Sequence, residues 1–193
     1  KDAFLKNINI LVRLDNAYIV FKPLIYRLYM SILILGDAGV GKSSFINTLK
    51  GLPFTDSYVS TIGKDLFTYQ QYYLHDMPGH SRWTKICRQY YPYAQAAIIV
   101  YDLADSSDTV TKWKEELAEY DIPIVVVGNK SDLVSDSVRA QHSIKTDVYI
   151  SCKTGENIDK VIPLVGSDIP DIKVSSEPDS YVYSFVTRYC CVQ

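Results

Sequence analysis

The chain has 193 residues, enough for one globular domain, and its composition (47% hydrophobic, 22% charged) is ordinary for a soluble fold. With a formal net charge of −2 and no basic stripe, the chain is not expected to bind nucleic acid. Its four cysteines show no zinc or disulfide spacing, which favours a reducing cytosolic setting.

The predicted elements alternate between short apolar runs and helix-like stretches. The first 28 residues are an N-terminal extension whose secondary structure the sequence does not decide, because the apolar residues between Phe4 and Leu14 fit a helix face and a strand equally well. The predicted strands are Tyr29–Leu35, Ala96–Tyr101, Ile122–Val127 and Val148–Ile150, and the predicted helices are Lys42–Lys50 and Ser107–Tyr120. Nearly all-apolar strands are typical of a parallel sheet that is buried on both faces.

This alternation predicts an α/β, doubly wound domain over residues 29–167, with a mostly parallel sheet and helices on both faces. Residues 168–193 are polar and contain proline, which predicts a flexible C-terminal tail.

A phosphate-binding loop is predicted where GDAGVGKSS follows the first strand and opens the first helix. Its glycines let backbone N–H groups converge on phosphate oxygens, and the helix N-terminus adds a positive dipole end. Lys42 would reach the outer phosphates, and the Ser43 hydroxyl would bind Mg²⁺. The residues expected to bind nucleotide here are Gly36, Asp37, Ala38, Gly39, Val40, Gly41, Lys42, Ser43 and Ser44.

Two later segments, GNKSDL and YISCKTG, indicate the base. Asp132 at a strand end can accept hydrogen bonds from the N1–H and N2 amine of guanine, a donor pair that adenine lacks. The Lys130 stem can lie along the base, and the N–H of Cys152 could meet the guanine carbonyl. The residues expected to bind the base are Asn129, Lys130, Asp132, Leu133, Ser151, Cys152 and Lys153.

In this order, the motifs GDAGVGKSS, YVSTIG, GNKSDL, SCK and QYYPYAQAAIIVYDLAD resemble the small GTPases. The resemblance is closest to the Rab branch and extends from about Tyr29 to Gly155. It implies the small G domain of the P-loop NTPases, with GTP or GDP and Mg²⁺ as ligands. It also implies a monomeric switch that hydrolyses GTP and acts with a Rab-type exchange factor, GTPase-activating protein and effectors.

The resemblance implies further roles. Phe54 would pack edge-on against guanine, and Tyr58 would lie over the phosphates. Thr61 would join Ser43 as a Mg²⁺ ligand in the GTP state, and would help Lys42 to hold charge during catalysis. Asp76 would hold Mg²⁺ through water, and the N–H of Gly79 would sense the γ-phosphate. Loss of that phosphate would free both loops.

The segment HDMPGH departs from the Rab pattern, in which Asp-Thr-Ala-Gly-Gln supplies a water-orienting Gln. Asp-x-Pro-Gly-His is the form seen in translational GTPases, where the His takes that place. Two interpretations of His80 stay open: a slow but real catalytic role, or a solvated turn residue. The corresponding functions are a slow GTPase and a GTP-binding module with little or no hydrolysis that sequesters Rab partners.

Other departures concern the periphery. Only 14 residues separate Thr61 from Asp76, which predicts a truncated hairpin between the two switch segments. In that hairpin, Leu66 and His75 stand where Rab proteins use a Phe and a Trp to read effectors. The last helix is expected to be interrupted at three residues, Pro163, Gly166 and Pro170.

The sequence RYCCVQ fits two lipidation patterns through Cys190 and Cys191. One is C-a-a-X with a farnesyl-type Gln, and the other is the Cys-Cys-x-x ending of many Rab proteins, which carry two geranylgeranyl groups. We expect prenylation at one or both cysteines. The protein would then cycle between the cytosol and the cytoplasmic face of an intracellular membrane, with a role in vesicle traffic.

Overall fold

The computed structural model describes residues 13–14, 17–18, 30–56, 60–61, 65–105, 108–141 and 143–168. The chain divides into two compact units, one of which includes residues 1–29. In that unit, β1 (Arg13–Leu14) and β2 (Ala17–Tyr18) pair antiparallel, and the residues between Phe4 and Val12 lie outside the described part of the chain. The other unit, Met30–Pro170, holds the remaining elements.

The larger unit is built on a six-stranded sheet. Its strands are β3 (Met30–Leu35), β4 (Asp65–Tyr69), β5 (Tyr72–Asp76), β6 (Ala96–Asp102), β7 (Ile124–Asn129) and β8 (Val148–Tyr149). They lie in the order β4-β5-β3-β6-β7-β8, and within this sheet only the β4–β5 pair is antiparallel. The predicted mostly parallel sheet is therefore confirmed.

Helices cover both faces of this sheet. They are α1 (Lys42–Leu49), α2 (Thr84–Arg88), α3 (Thr109–Leu117), α4 (Asp136–Gln141) and α5 (Ile158–Asp168). One buried cluster contains Phe45 of α1 and Val161 of α5, and a second contains Cys87 of α2 and Trp113 of α3. Alternate residues of β3 and β6 divide between the two clusters, as expected for a doubly wound domain.

Most predicted elements differ from the structure by one residue at one end, and two, β7 and α3, differ by two or more residues at both ends. β7 begins two residues after the predicted Ile122 and continues to Asn129, which makes Asn129 the last residue of a buried strand. α3 begins at Thr109, because the carboxylate of Asp108 accepts a hydrogen bond from the Thr111 N–H at 3.1 Å and caps the helix.

The hairpin between the switch segments is short, as predicted. β4 and β5 have five residues each, and Tyr69 pairs with Tyr72 across the turn. None of the helices in the described part of the chain is both long and apolar enough to cross a membrane.

The predicted interruption of the last helix is wrong, because α5 continues through Pro163 and Gly166; Pro170 lies outside the described residues. Proline removes one backbone hydrogen bond, but both Pro163 and Asp159, whose carbonyl is freed, are exposed to water. Packing against the sheet outweighs this loss, since the opposite side of the helix is buried. The buried residues are Val161, Ile162 and Val165.

Alanine substitutions in α5 separate helix propensity from packing. Pro163→Ala should raise the free energy of unfolding by about 1–3 kcal/mol, because alanine supplies the missing N–H donor. Gly166→Ala should lower it, because a Cβ at that position would lie 2.6 Å from the hydroxyl oxygen of buried Tyr72. Denaturant unfolding measures both values, and stabilisation by both variants would contradict the packing argument at Gly166.

Candidate functional site

A cavity of about 520 Å³ gathers most of the predicted nucleotide-binding residues. Those that line it are Ala38, Gly39, Gly41, Lys42, Ser43, Ser44, Phe54, Thr61, Gly79, His80, Asn129, Lys130, Asp132, Leu133, Cys152 and Lys153. Phe54 and Thr61 come from the segment between α1 and β4, and the others lie at or just after the carboxyl ends of β3, β5, β7 and β8. Since these strands are parallel, their carboxyl ends meet at one edge of the sheet, where α/β domains form ligand crevices.

The path of the phosphate loop requires glycine at two points. Gly36 has a φ of +140°, and a Cβ there would lie 2.0 Å from the carbonyl oxygen of Val100 in β6. Gly41 has a φ of +100°, and a Cβ there would lie 2.2 Å from the side-chain nitrogen of Asn129. The loop can therefore lie against β6 and Asn129 only because both positions lack a side chain.

Lys42 extends beneath this loop and is buried. Its ammonium group donates to the carbonyl oxygens of Gly36 at 2.9 Å and Asp37 at 2.7 Å. Burial lowers the pKa of Lys42 to about 8, although the carboxylates of Asp76 and Asp37 act in the opposite direction. An anionic phosphate at this place would stabilise the charged form, so the geometry suits phosphate binding.

The three predicted magnesium ligands lie together. The Ser43 Oγ is 3.0 Å from the Thr61 Oγ1 and donates to the Asp76 Oδ2 at 2.5 Å. Desolvation raises the pKa of Asp76, and its buried Oδ1 has no hydrogen-bond partner among the described residues. Hydroxyl and carboxylate oxygens are the ligands that Mg²⁺ prefers, so this set fits that ion.

Asn129 joins the base end of the cavity to the phosphate loop. Its side-chain amide donates to the carbonyl of Val40 at 2.8 Å and accepts from the N–H of Cys152 at 3.2 Å. The sequence predicts that the Cys152 N–H donates to guanine, so a bound base would have to share or replace the hydrogen bond to Asn129. Asp132 lines the cavity with its Oδ1 held by the Ser151 hydroxyl at 2.6 Å.

Lys130 and Cys152 complete the base end. Lys130 takes a left-handed conformation with a φ of 65°, and its ammonium lies 2.5 Å from a carboxylate oxygen of Asp102. This ion pair holds the lysine stem along one side of the cavity. Burial raises the pKa of the Cys152 thiol to about 12, which keeps it protonated at neutral pH.

Gly79 and His80 stand where the second switch segment meets the cavity. A Cβ on Gly79 would lie 2.4 Å from the carbonyl carbon of Asp37 and 2.5 Å from the Lys42 ammonium, so glycine is required. His80 is exposed, and its Nδ1 accepts a hydrogen bond from the Arg82 N–H at 3.3 Å. A neutral imidazole that accepts at Nδ1 carries its proton on Nε2, so the free nitrogen is a donor.

His75 stands where Rab proteins have a tryptophan that reads effectors, but in this structure it is not a surface residue. It is only 3% exposed, and its Nε2 lies 2.7 Å from the hydroxyl of Ser31 on the neighbouring strand. Leu66, which pairs with it across the hairpin, is 40% exposed. The two residues differ in exposure because His75 lies in β5, an inner strand, and Leu66 lies in β4, an edge strand.

Some predicted residues lie outside the cavity wall, and some wall residues were not predicted. Gly36, Asp37, Val40, Asp76 and Ser151 support the lining residues from behind, while Tyr58, Cys190 and Cys191 lie outside the described residues. Sequence reasoning missed Asn47, Thr55, Asp56 and Ser60. Helical spacing could have found Asn47, which lies one turn after Ser43 on α1.

Comparison with known proteins agrees with this geometry. The sequence model of the Ras family matches residues 31–169. The chain is 31% identical to the GTP-binding protein YPTM2 of Zea mays, across 79% of this chain and 85% of that protein. It is 33% identical to the Ras-related protein Rab-32B of Dictyostelium discoideum (76% and 66%) and 30% identical to Rab-1D of the same organism (78% and 86%).

The fold and site define a small G domain of the P-loop type. The chain belongs to the Ras family and is a Rab-like small GTPase.

The lowered pKa of Lys42 predicts proton uptake on nucleotide binding. At about pH 9 most of the lysine is neutral, and an approaching phosphate would restore its proton, so affinity should fall as the pH rises past about 8. Calorimetric titration with GDP in two buffers of different ionisation enthalpy measures the uptake. Lys42→Arg, which stays protonated, should abolish it. Identical enthalpies for the unmodified protein in both buffers would contradict this prediction.

Proposed function

We propose that this protein is a GTP-binding switch that hydrolyses GTP slowly to GDP and phosphate, attaches to membranes and regulates vesicle traffic. One observation carries the proposal: a single cavity is lined by Lys42, by the hydroxyls of Ser43 and Thr61, and by Asp132. These groups match the phosphates, the metal ion and the guanine of one nucleotide. The relatives, a GTP-binding protein and Ras-related Rab proteins, support the same conclusion.

Binding of the phosphates would begin with Lys42 and the loop amides. The ammonium now held by two loop carbonyls would turn toward the β- and γ-phosphates, with the N-terminus of α1 behind it. Ser43, Thr61 and Asp76 would hold Mg²⁺, which neutralises phosphate charge when bound. In hydrolysis, water attacks the γ-phosphorus, the bond to the bridging oxygen breaks, and GDP leaves with that electron pair.

Guanine recognition would rest on Asp132, with Phe54 and Lys130 packing near the base. Ser151 orients the Asp132 carboxylate through its Oδ1. A fixed carboxylate rejects a base that offers it no donor, because its lost hydration is then uncompensated.

Switching would depend on Thr61 and Gly79, which both line the cavity, at the end where the γ-phosphate would lie. Thr61 lies against Ser43, and Gly79 lies against Lys42 and Asp37. When the γ-phosphate leaves, both would lose a partner, and their segments would change conformation. A Rab-type exchange factor, GTPase-activating protein and effectors would read or drive that change.

The hydrogen bonding of His80 bears on both functions left open. While its Nδ1 caps the turn at Arg82, its Nε2 can donate to water or to a phosphate oxygen but cannot accept a hydrogen bond. A Gln side chain offers a donor and an acceptor from one group. This limit supports slow hydrolysis, and it also favours the alternative of a GTP-binding module that hydrolyses little and sequesters Rab partners.

Membrane attachment would come from prenyl groups on Cys190 and Cys191. Two lipid chains anchor a protein stably where one binds reversibly, and extraction would allow cycling with the cytosol. In a prenylating host, mass spectrometry of the peptide that carries both cysteines should detect one or two isoprenoids. The double variant Cys190→Ser, Cys191→Ser should be absent from the membrane fraction. An unmodified peptide from the unaltered protein would refute this part of the proposal.

Nucleotide competition tests the guanine assignment. Affinity should decrease from GTP to ITP to ATP, because inosine lacks the N2 amine and adenine lacks both donors to Asp132. Loss of one such hydrogen bond should weaken binding about tenfold. Asp132→Ala should reduce the difference in affinity between GTP and ITP. Lys153→Ala is the comparison variant, because it alters an exposed residue of the same cavity and leaves Asp132 in place. Equal affinity for GTP and ATP would overturn the proposed function.

Single-turnover hydrolysis tests His80. If its Nε2–H assists the reaction, His80→Ala should slow phosphate release about fivefold to tenfold, while GTP affinity changes little. His80→Gln should match or exceed the unmodified protein. An unchanged rate in His80→Ala, together with a faster rate in His80→Gln, would favour the binding module over the slow GTPase.

A further inference from the structure

The phosphate loop has a hydrogen bond to a core residue that the proposed mechanism does not use. Trp113 of α3 is only 2% exposed, and its indole nitrogen donates to the Oδ1 of Asp37 at 2.9 Å. The two residues are 76 positions apart in the sequence. A hydrogen bond to a carboxylate is stronger than one between neutral groups, and burial of the donor limits competition from water.

Asp37 contacts the two groups that the proposed function assigns to the γ-phosphate end. Its backbone carbonyl accepts from the Lys42 ammonium at 2.7 Å. A Cβ on Gly79 would lie 2.4–2.5 Å from the carbon and oxygen of the same carbonyl group, so the second switch segment packs directly on Asp37. A change in the position of Asp37 would therefore move the surroundings of both Lys42 and Gly79.

Apart from the bond between Lys42 and its backbone carbonyl, the loop offers little to hold Asp37 in place. Gly39, near the apex, has a φ of +78°, and a Cβ there would meet no atom within 4 Å. Lys112 lies 3.6 Å from the Oδ1 of Asp37, but it is half exposed, and an ion pair of that kind contributes little in water. The indole of Trp113 is thus the buried attachment of the carboxylate.

We propose that Trp113 is a positioning residue for nucleotide binding, which acts through its hydrogen bond to Asp37 and rests on the proposed function above. The bond holds the loop in the conformation that presents Lys42 and accommodates Gly79. A loop that is already ordered loses less conformational freedom when the nucleotide binds, which slows nucleotide release. Trp113 touches no phosphate itself.

The test compares GDP release from the full chain in matched variants. Trp113→Phe keeps most of the buried ring and removes the N–H, and Asp37→Ala removes the acceptor. Each should raise the dissociation rate constant of a fluorescent GDP, chased with excess GDP, by about tenfold. The double variant should release it no faster than either single variant, because one bond is lost in all three.

Two further variants separate positioning from simple structural damage. Asp37→Asn keeps an oxygen acceptor for the indole, and should release GDP more slowly than Asp37→Ala. Lys112→Ala, which alters only the exposed partner of the same oxygen, should stay within about twofold of the unmodified protein. Thermal unfolding of each protein, measured in parallel, identifies any variant whose faster release follows from a general loss of stability.

A spectroscopic readout does not depend on release rates. In GDP-loaded protein that carries Trp83→Phe, Trp113 is the one remaining tryptophan, so the single indole signal of the ¹H–¹⁵N spectrum reports its N–H. Asp37→Ala should shift this signal and speed its exchange with water, and Lys112→Ala should do neither.

Three results would overturn the inference: GDP release from Asp37→Ala at the unmodified rate, multiplicative effects in the double variant, or an indole signal unchanged by Asp37→Ala. A protein that binds no guanine nucleotide at all would instead refute the proposed function, so the two failures are distinguishable.

Discussion

The burial of the Lys42 ammonium is the constraint on which the site depends. Lys42 is only 6% exposed, so its charge needs strong acceptors, and the chain supplies the carbonyls of Gly36 and Asp37. Those carbonyls are presented only because Gly36 adopts a backbone conformation that other residues rarely take. Gly79 must lack a side chain for the same reason, since any Cβ would collide with the ammonium. The lysine is therefore held in a position that costs solvation, and in the proposed function a bound phosphate would take over from the carbonyls.

The parallel sheet brings the two ends of the nucleotide site together, and Asn129 sets their separation. As the last residue of β7, it connects Val40 in the phosphate loop with Cys152 in the base-binding loop. Gly41 lies so close to its amide that no larger residue would fit. Loops that follow different strands thus act as one surface, because a single buried amide satisfies a backbone group in each of two loops.

Two histidines five positions apart illustrate how the fold assigns different tasks to one residue type. His75 lies in β5, an inner strand, and its ring is buried next to Ser31. His80 follows the turn made by Pro78 and Gly79, and remains exposed at the cavity, where its Nδ1 caps the next turn. The cap limits the chemistry of His80 to donation from Nε2, which could not be inferred from the residue type.

The sequence by itself determined the phosphate loop, the order of the base-binding motifs and the mostly parallel sheet. These follow from local rules, since glycine permits unusual backbone conformations and all-apolar strands require burial on both faces. Tertiary structure alone decided that α5 continues through Pro163, that His75 is buried, and that Trp113 holds Asp37. In each case the decisive contact joins segments distant in sequence, so its energy is absent from any local pattern. The geometry of a long-range contact exists only after the sheet and its helices have packed.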